Sequence, residues 1–253
     1  MKVLVTSDWH HDWSTYGVVR AGDVEEAVGE TLTAAVKQAV DLYLFLGDLA
    51  DPEDGPAVLK AAALAMNAAC ILSSEGIPSV WIPGNHCVVE DGSGATVLRP
   101  MLMMNPVSKG AAIYVSEVPR LHRVEGLTKV EGLSNVIALP FTASSHAYDP
   151  AEFVRKSARE LDARLPTIVM GHLCMPGVQP GEETTEMPRG REVTFPYDAV
   201  QAIPGRKLVF NGHYHRQQTF TAPNGLQVHI PGSLARLTMC EEHHSPGYLI
   251  AEV

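Results

Sequence analysis

With 253 residues, 45% hydrophobic and 19% charged, the chain has ordinary globular composition and room for one large core or two small ones. No run approaches the ~18 uninterrupted apolar residues of a membrane span, and four scattered cysteines (Cys70, Cys87, Cys174, Cys240) form neither a disulfide framework nor a zinc spacing. Nineteen basic against 29 acidic residues give a net charge of −10, which argues against tight unaided binding of nucleic acid, although bound divalent cations would change the local field.

The first apolar run meets Asp8 too soon for a signal peptide; Lys2–Ser7 reads as a mature strand, and the expected location is the cytoplasm. Asp23 and Glu26 have the spacing of a capping box and predict a helix running to about Val40. Leu42–Leu46 is a second strand, ending at Gly47-Asp48. The Ala-rich stretch from Pro52 through Ala57–Cys70 predicts a helix. Ser79–Ile82 is a third strand, ending at Pro83-Gly84-Asn85-His86. This alternation implies right-handed parallel crossovers covered by helices. In the second half, strands are expected at Ala112–Val115, Leu121–Val124, Val136–Leu139, Thr167–Met170, Lys207–Phe210, Gln217–Thr221, Gln227–Ile230 and Tyr248–Val253. Pro150–Arg164 predicts a helix, Pro223-Asn224-Gly225 a hairpin turn, and the polar Pro176–Thr194 a long surface loop.

Chemistry-bearing residues gather at strand ends. Five predicted strands terminate in Asp8-Trp9-His10, Gly47-Asp48, Gly84-Asn85-His86, Gly171-His172 and Gly212-His213-Tyr214-His215. Open α/β sheets bind ligands at the carboxyl edge of their strands, so these residues are expected to converge. Asp, His and Asn donors together suit Mn, Fe, Zn or Mg. Each fragment alone is weak, since a single Gly-His after a strand is usually structural. Five in order, all at strand ends, are hard to explain by core packing.

These five blocks resemble the calcineurin-like metallophosphoesterase superfamily, and the finer pattern is similar to DNA-repair nuclease subunits of the SbcD type. The finer resemblance rests on Ser7-Asp8-Trp9-His10, Leu139-Pro140-Phe141, Val169–Leu173, and Ile230-Pro231-Gly232-Ser233 followed by Glu241 and Gly247. It implies an α/β fold, a four-layer α/β/β/α sandwich of two mixed sheets flanked by helices, in one domain over residues 1–253. It implies two divalent ions, Mn foremost, one held by Asp8, His10 and His215, the other by Asn85, His172 and His213, with Asp48 between them. A hydroxide bridging the ions would then cleave phosphodiesters. His86, next to the ligand Asn85 and itself free of metal, would then donate a proton to the leaving oxygen or place positive charge on the transition state. Asp51 matches the family position that orients it, although Asp51 could equally cap the helix ahead of Pro52.

Cys87 departs from the pattern, standing where the family has Asp or Glu; a small buried hydrophobe is the plainer reading of it and of Cys174. His11 is expected beside the site or facing solvent, and His243 and His244 on the surface. The chain stops soon after its last strand, so a capping region and a segment docking an SbcC-type ATPase partner are not expected; a homodimer stays open. Three functions remain: a DNA exo- or endonuclease, whose nucleotide Trp9, Trp13, Tyr16 and Arg20 could stack or steer, packing within the first site loop being the plainer reading of those four; a small-molecule or cyclic-nucleotide phosphodiesterase or phosphatase; and a binding module without chemistry. Every ligand position is filled, which counts against the last.

Overall fold

The computed structural model describes residues 1–51, 55–89, 91, 93–104, 110–124, 134–180 and 193–252. In chain order the strands are β1 (Lys2–Thr6), β2 (Ser14–Thr15), β3 (Val18–Val19), β4 (Leu42–Phe45), β5 (Ser79–Trp81), β6 (Ile113–Val115), β7 (Arg120–Val124), β8 (Ser134–Leu139), β9 (Thr167–Gly171), β10 (Lys207–Asn211), β11 (Gln218–Thr221), β12 (Gln227–Ile230) and β13 (Leu249–Glu252). The α-helices are α1 (Ala21–Lys37), α2 (Gly55–Ser74), α3 (Pro150–Ala158) and α4 (Tyr197–Gln201).

Two sheets carry the architecture. The first has order β13-β1-β4-β5-β6, the second β11-β12-β10-β9-β8-β7. Each is mixed: β1, β4, β5 and β6 run parallel with β13 reversed at one edge, and β12, β10, β9 and β8 run parallel between reversed edge strands.

Strand alternation decides which side chains build which layer. Val3, Val5, Leu42, Leu44 and Val80 of the first sheet meet Val136, Ala138, Ile168, Met170 and Phe210 of the second in one buried cluster. The alternate residues Leu4, Tyr43, Phe45 and Trp81 face away, onto Val24 and Val28 of α1 and Ala61, Ala65, Ala69 and Leu72 of α2. On the far side, Ile137, Leu139, Val169, Val209 and Val228 pack on Val154 of α3 and on Ala199 and Val200 of α4. The result is the expected α/β/β/α sandwich. By length and composition α2 could span a bilayer, yet its inner face is buried as part of the first helix layer.

Three local readings change. Asp23 does not cap α1: Arg20 holds the cap position, and Asp23 lies in the first turn, 2.6 Å from the Arg20 guanidinium. The start is set upstream, where a hairpin of β2 and β3 returns the Arg20 N–H to the Trp13 carbonyl. The helix predicted to Arg164 stops at Ala158 because Asp162 accepts from the Arg164 N–H and guanidinium, a local turn that competes with helix. Neither that hairpin nor α4 is anticipated by periodicity, both being too short to show one. Residues 181–192 of the predicted loop, and Pro52, lie outside the described residues.

Candidate metal centre

All five chemical blocks leave their strands at the same rim. The exits of β1 and β4 run side by side: Asp8 N–H donates to the Gly47 carbonyl (2.9 Å) and His10 N–H to the Asp48 carbonyl (3.0 Å). In the second sheet Gly212 N–H donates to the Gly171 carbonyl (2.9 Å), aligning His172 with His213 and His215. Buried Asn211 clamps that pair of exits. Its Oδ1 accepts from Leu173 N–H at 3.1 Å, and its amide donates to the Leu173 and Gly212 carbonyls. The sequence reading did not single it out, although a polar residue closing the apolar run of β10 was a visible signal.

The two sheets contribute to two compact donor groups. Asp8, His10 and His215 offer atoms all within 4.8 Å of one another, as do Asp48, His172 and His213. Asn85 joins the second group, its Oδ1 lying 3.1 Å from His172 Nε2 and 3.0 Å from His213 Nδ1. Asp48 lies between them, with Oδ2 3.2 Å from His172 Nε2 and 3.8 Å from His10 Nε2, while Oδ1 accepts the His86 N–H at 2.8 Å. All seven predicted ligands therefore converge.

The backbone is bent to achieve this. Asp8 (φ 52°), His10 (φ 43°), Asp48 (φ 56°) and His213 (φ 77°) all occupy the left-handed region, which costs a side-chain-bearing residue about 1–3 kcal/mol and concentrates at functional sites. Close approach supplies the second constraint. A Cβ at Gly84 would come 2.5 Å from His172 Cε1 and would also collide with Asp48 Oδ1. Gly84→Ala is accordingly expected to displace two donors of the second group, lowering metal uptake at that group while the strands stay folded; metal analysis together with circular dichroism checks it.

Burial and neighbouring charges set the protonation of these donors: carboxylates outweigh burial at His172, raised to about 9 beside Asp48, and at His215, raised beside Glu241. Both carboxylate oxygens of Asp8 are buried and meet no hydrogen-bond partner among the described residues. Burial pushes this carboxyl up to about 6, against the pull of His172 and His215. For Asp48, burial acts in the same direction, but His172, His86 and His10 outweigh it and hold the group well below the usual carboxylate range. Burial lowers His10 and brings His213 down to about 3, keeping both rings neutral, the form that ligates a metal. His10 Nε2 and His215 Nε2 face each other at 3.2 Å. A carboxylate with no donor beside converging ring nitrogens is a set that a divalent cation would satisfy.

The remaining predicted residues divide. His86 stands half-buried at the rim, outside both groups, with its ring 5.1 Å from that of His10 and Nδ1 3.7 Å from Asp51 Oδ2. Asp51 is itself held through its N–H by Asp12 Oδ2 at 3.1 Å. Cys87 is buried, accepts the Leu49 N–H on Sγ, and has its thiol pushed up to about 12 by burial, so it is an inert packing residue. His11 points neither at the site nor at solvent: it is buried with Nε2 3.1 Å from Glu25 on α1. Trp9 is no stacking platform, being fully buried edge-on to Phe45 and Trp81. Tyr16 is 90% exposed at the tip of the β2–β3 hairpin.

The comparisons with known proteins agree with this geometry. A family model described as calcineurin-like phosphoesterase matches residues 1–217. The SbcD subunit of the nuclease SbcCD from Escherichia coli (strain K12) is 23% identical in an alignment of 232 positions that covers 86% of this chain and 57% of that protein. The chain thus spans little more than half the length of that curated relative. A dimetal phosphatase from Danio rerio superposes with a TM-score of 0.55 at 12% identity, over 100% of this chain and 92% of that one. Purple acid phosphatase PPD1 from yellow lupin (Lupinus luteus) gives a TM-score of 0.56 at 13% identity, over 99% and 48% of the respective chains. At such identities the solved structures establish the shared fold.

Proposed function

The chain belongs to the calcineurin-like phosphoesterase family, a family of hydrolases acting on phosphate esters, and on that premise we propose that it is a two-metal phosphodiesterase and, more narrowly, a DNA exo- or endonuclease resembling SbcD. The observation that carries the metal-dependent reading is the pair of buried donor groups with Asp48 between them. Asp8, His10 and His215 would hold one divalent ion, and Asn85, His172 and His213 the other, with Asp48 shared. Mn leads the candidates for this mixed oxygen and nitrogen set, with Mg, Fe and Zn as alternatives. Such ions supply Lewis acidity toward phosphoryl oxygens and make water acidic enough to ionise near neutral pH.

The protein's own groups do the rest. The left-handed exits at Asp8, His10, Asp48 and His213 hold the donors in place before substrate arrives. Nδ1 of His86 faces Asp51, which leaves Nε2 for the substrate, where it would give a proton to the leaving oxygen. Asp51 keeps that ring turned.

The nuclease reading is supported by the likeness to the SbcD nuclease subunit along most of the chain. It is also supported by a cavity of about 430 Å³ beside His215, lined by Arg216, Gln217, Cys240, His243, His244 and Ser245. Those donors suit a second anionic group of a phosphodiester chain. The net charge of −10 favours the other reading, a phosphodiesterase or phosphatase acting on small or cyclic-nucleotide esters. The purified protein with Mn, offered linear duplex DNA, single-stranded DNA and bis-p-nitrophenyl phosphate, is expected to cleave all three; cleavage of the small ester alone would end the nuclease reading. A cytoplasmic location belongs to the same proposal and is supported by four cysteines that are all free thiols.

A further inference from the structure

One buried acid near the site takes no part in either donor group. Glu241 lies in the 3₁₀ turn Met239–His243, 26 positions beyond His215, and is 1% exposed. Its two oxygens are both engaged: Oε1 is 2.9 Å from His215 Nδ1, and Oε2 accepts the Leu237 N–H at 2.6 Å. The turn is tied down by Glu241 N–H on the Thr238 carbonyl and His244 N–H on the Glu241 carbonyl. A carboxylate so placed cannot rotate away from the ring.

The geometry points to Glu241 as the positioning residue of the first ion site, fixing the orientation and tautomer of His215 and setting a further buried carboxylate behind that ligand. A carboxylate oxygen only accepts, so His215 Nδ1 must carry the hydrogen, which leaves Nε2 with a free lone pair. That Nε2 is the atom turned toward His10. The second group solves the same problem differently. There His172 Nδ1 meets the backbone carbonyl of Leu46 at 2.6 Å, a neutral partner. A histidine backed by a carboxylate is the more basic ligand, and losing such a partner costs about 10–100-fold in metal affinity. The two ion sites are therefore unequal by construction, with the first strengthened by a residue outside the ligand set.

The inference rests on the metal-centre reading above, and a strut role for Glu241, holding the Leu237 turn, has to be told apart from it. Mn would be titrated calorimetrically into the chelator-stripped full chain, as wild type, Glu241→Gln and Glu241→Ala, with melting curves of the stripped proteins alongside. Wild type is expected to take two ions. Both variants are expected to lose about 10–100-fold at one site and nothing at the other, with Gln the milder because its amide offers an acceptor to only one of the two N–H groups. Lowered melting with both affinities intact would make Glu241 a strut and overturn the assignment. Equal weakening at both sites would overturn it too. Should wild type bind no ion, the metal-centre reading itself fails. Imidazole nitrogen shifts of the stripped protein, at a pH where His215 is neutral, then decide the tautomer separately: Nδ1–H in wild type and its loss in Glu241→Ala are expected, and an Nε2–H ring in wild type refutes the role.

Discussion

Replacing His86 with alanine is expected to lower turnover by about 100- to 10,000-fold, the range of general acid catalysis, with both metal ions still bound. The side chain belongs to neither donor group, and the contact this residue makes to Asp48 uses its backbone N–H, which alanine retains. What disappears is the imidazole at the rim, the part of the residue that a substrate could meet. Initial rates on bis-p-nitrophenyl phosphate and elemental analysis of the same preparation separate the two effects. Metal loss from the variant would show that the ring holds an ion and that its assigned part is wrong.

Stripping the metals is expected to destabilise the protein strongly, and Asp8→Asn to reverse the sign of its effect when they are gone. An ion present at about a hundredfold excess over its dissociation constant contributes about 2.7 kcal/mol to stability. Without it, the Asp8 carboxylate is buried, and among the described residues neither oxygen meets a donor at hydrogen-bond geometry, Ser7 beside it giving only a small pull. Its carboxyl rises from the ordinary 3.8 to about 6, so in the folded stripped protein the proton is held more tightly than in the unfolded chain. Asp8 therefore contributes a loss of stability as the pH rises from about 4 to about 6, by up to about 3 kcal/mol. It is opposed in the same range by His10 and His213, whose lowered values act with the other sign; the comparison of wild type with Asp8→Asn isolates the Asp8 part. Asparagine has no charge to bury and escapes that loss. Urea denaturation should find Asp8→Asn less stable than wild type with Mn, and more stable in excess chelator above about pH 6. A variant that stays less stable in both conditions would show that Asp8 has a partner here other than a cation.

The strand exits were legible because an apolar β-branched run that ends abruptly in Asp or His is unusual, and five such breaks in succession leave little room for coincidence. The layers followed from strand–helix alternation in the first half and from the family resemblance in the second. Other features depend on contacts that no local pattern carries. The left-handed backbone at Asp8 and Asp48 is imposed by neighbouring exits that hydrogen-bond to each other, a tertiary cause. Arg20 begins α1 because of a two-residue hairpin, and the pairing of Glu241 with His215 spans 26 positions without periodicity. Trp9 lay within a loop rich in polar residues, yet its ring turns inward onto Phe45 and Trp81.

Each donor group draws from both halves of the sandwich. Asp8 and His10 come from the first sheet and His215 from the second; Asp48 and Asn85 come from the first, His172 and His213 from the second. A filled centre is thus a pair of rivets through the two leaves. Sliding one leaf over the other would tear both coordination shells, so loading should slow amide exchange in β1, β4, β9 and β10 well beyond the reach of the ions themselves. The fold would gain its mechanical grip from its own cargo.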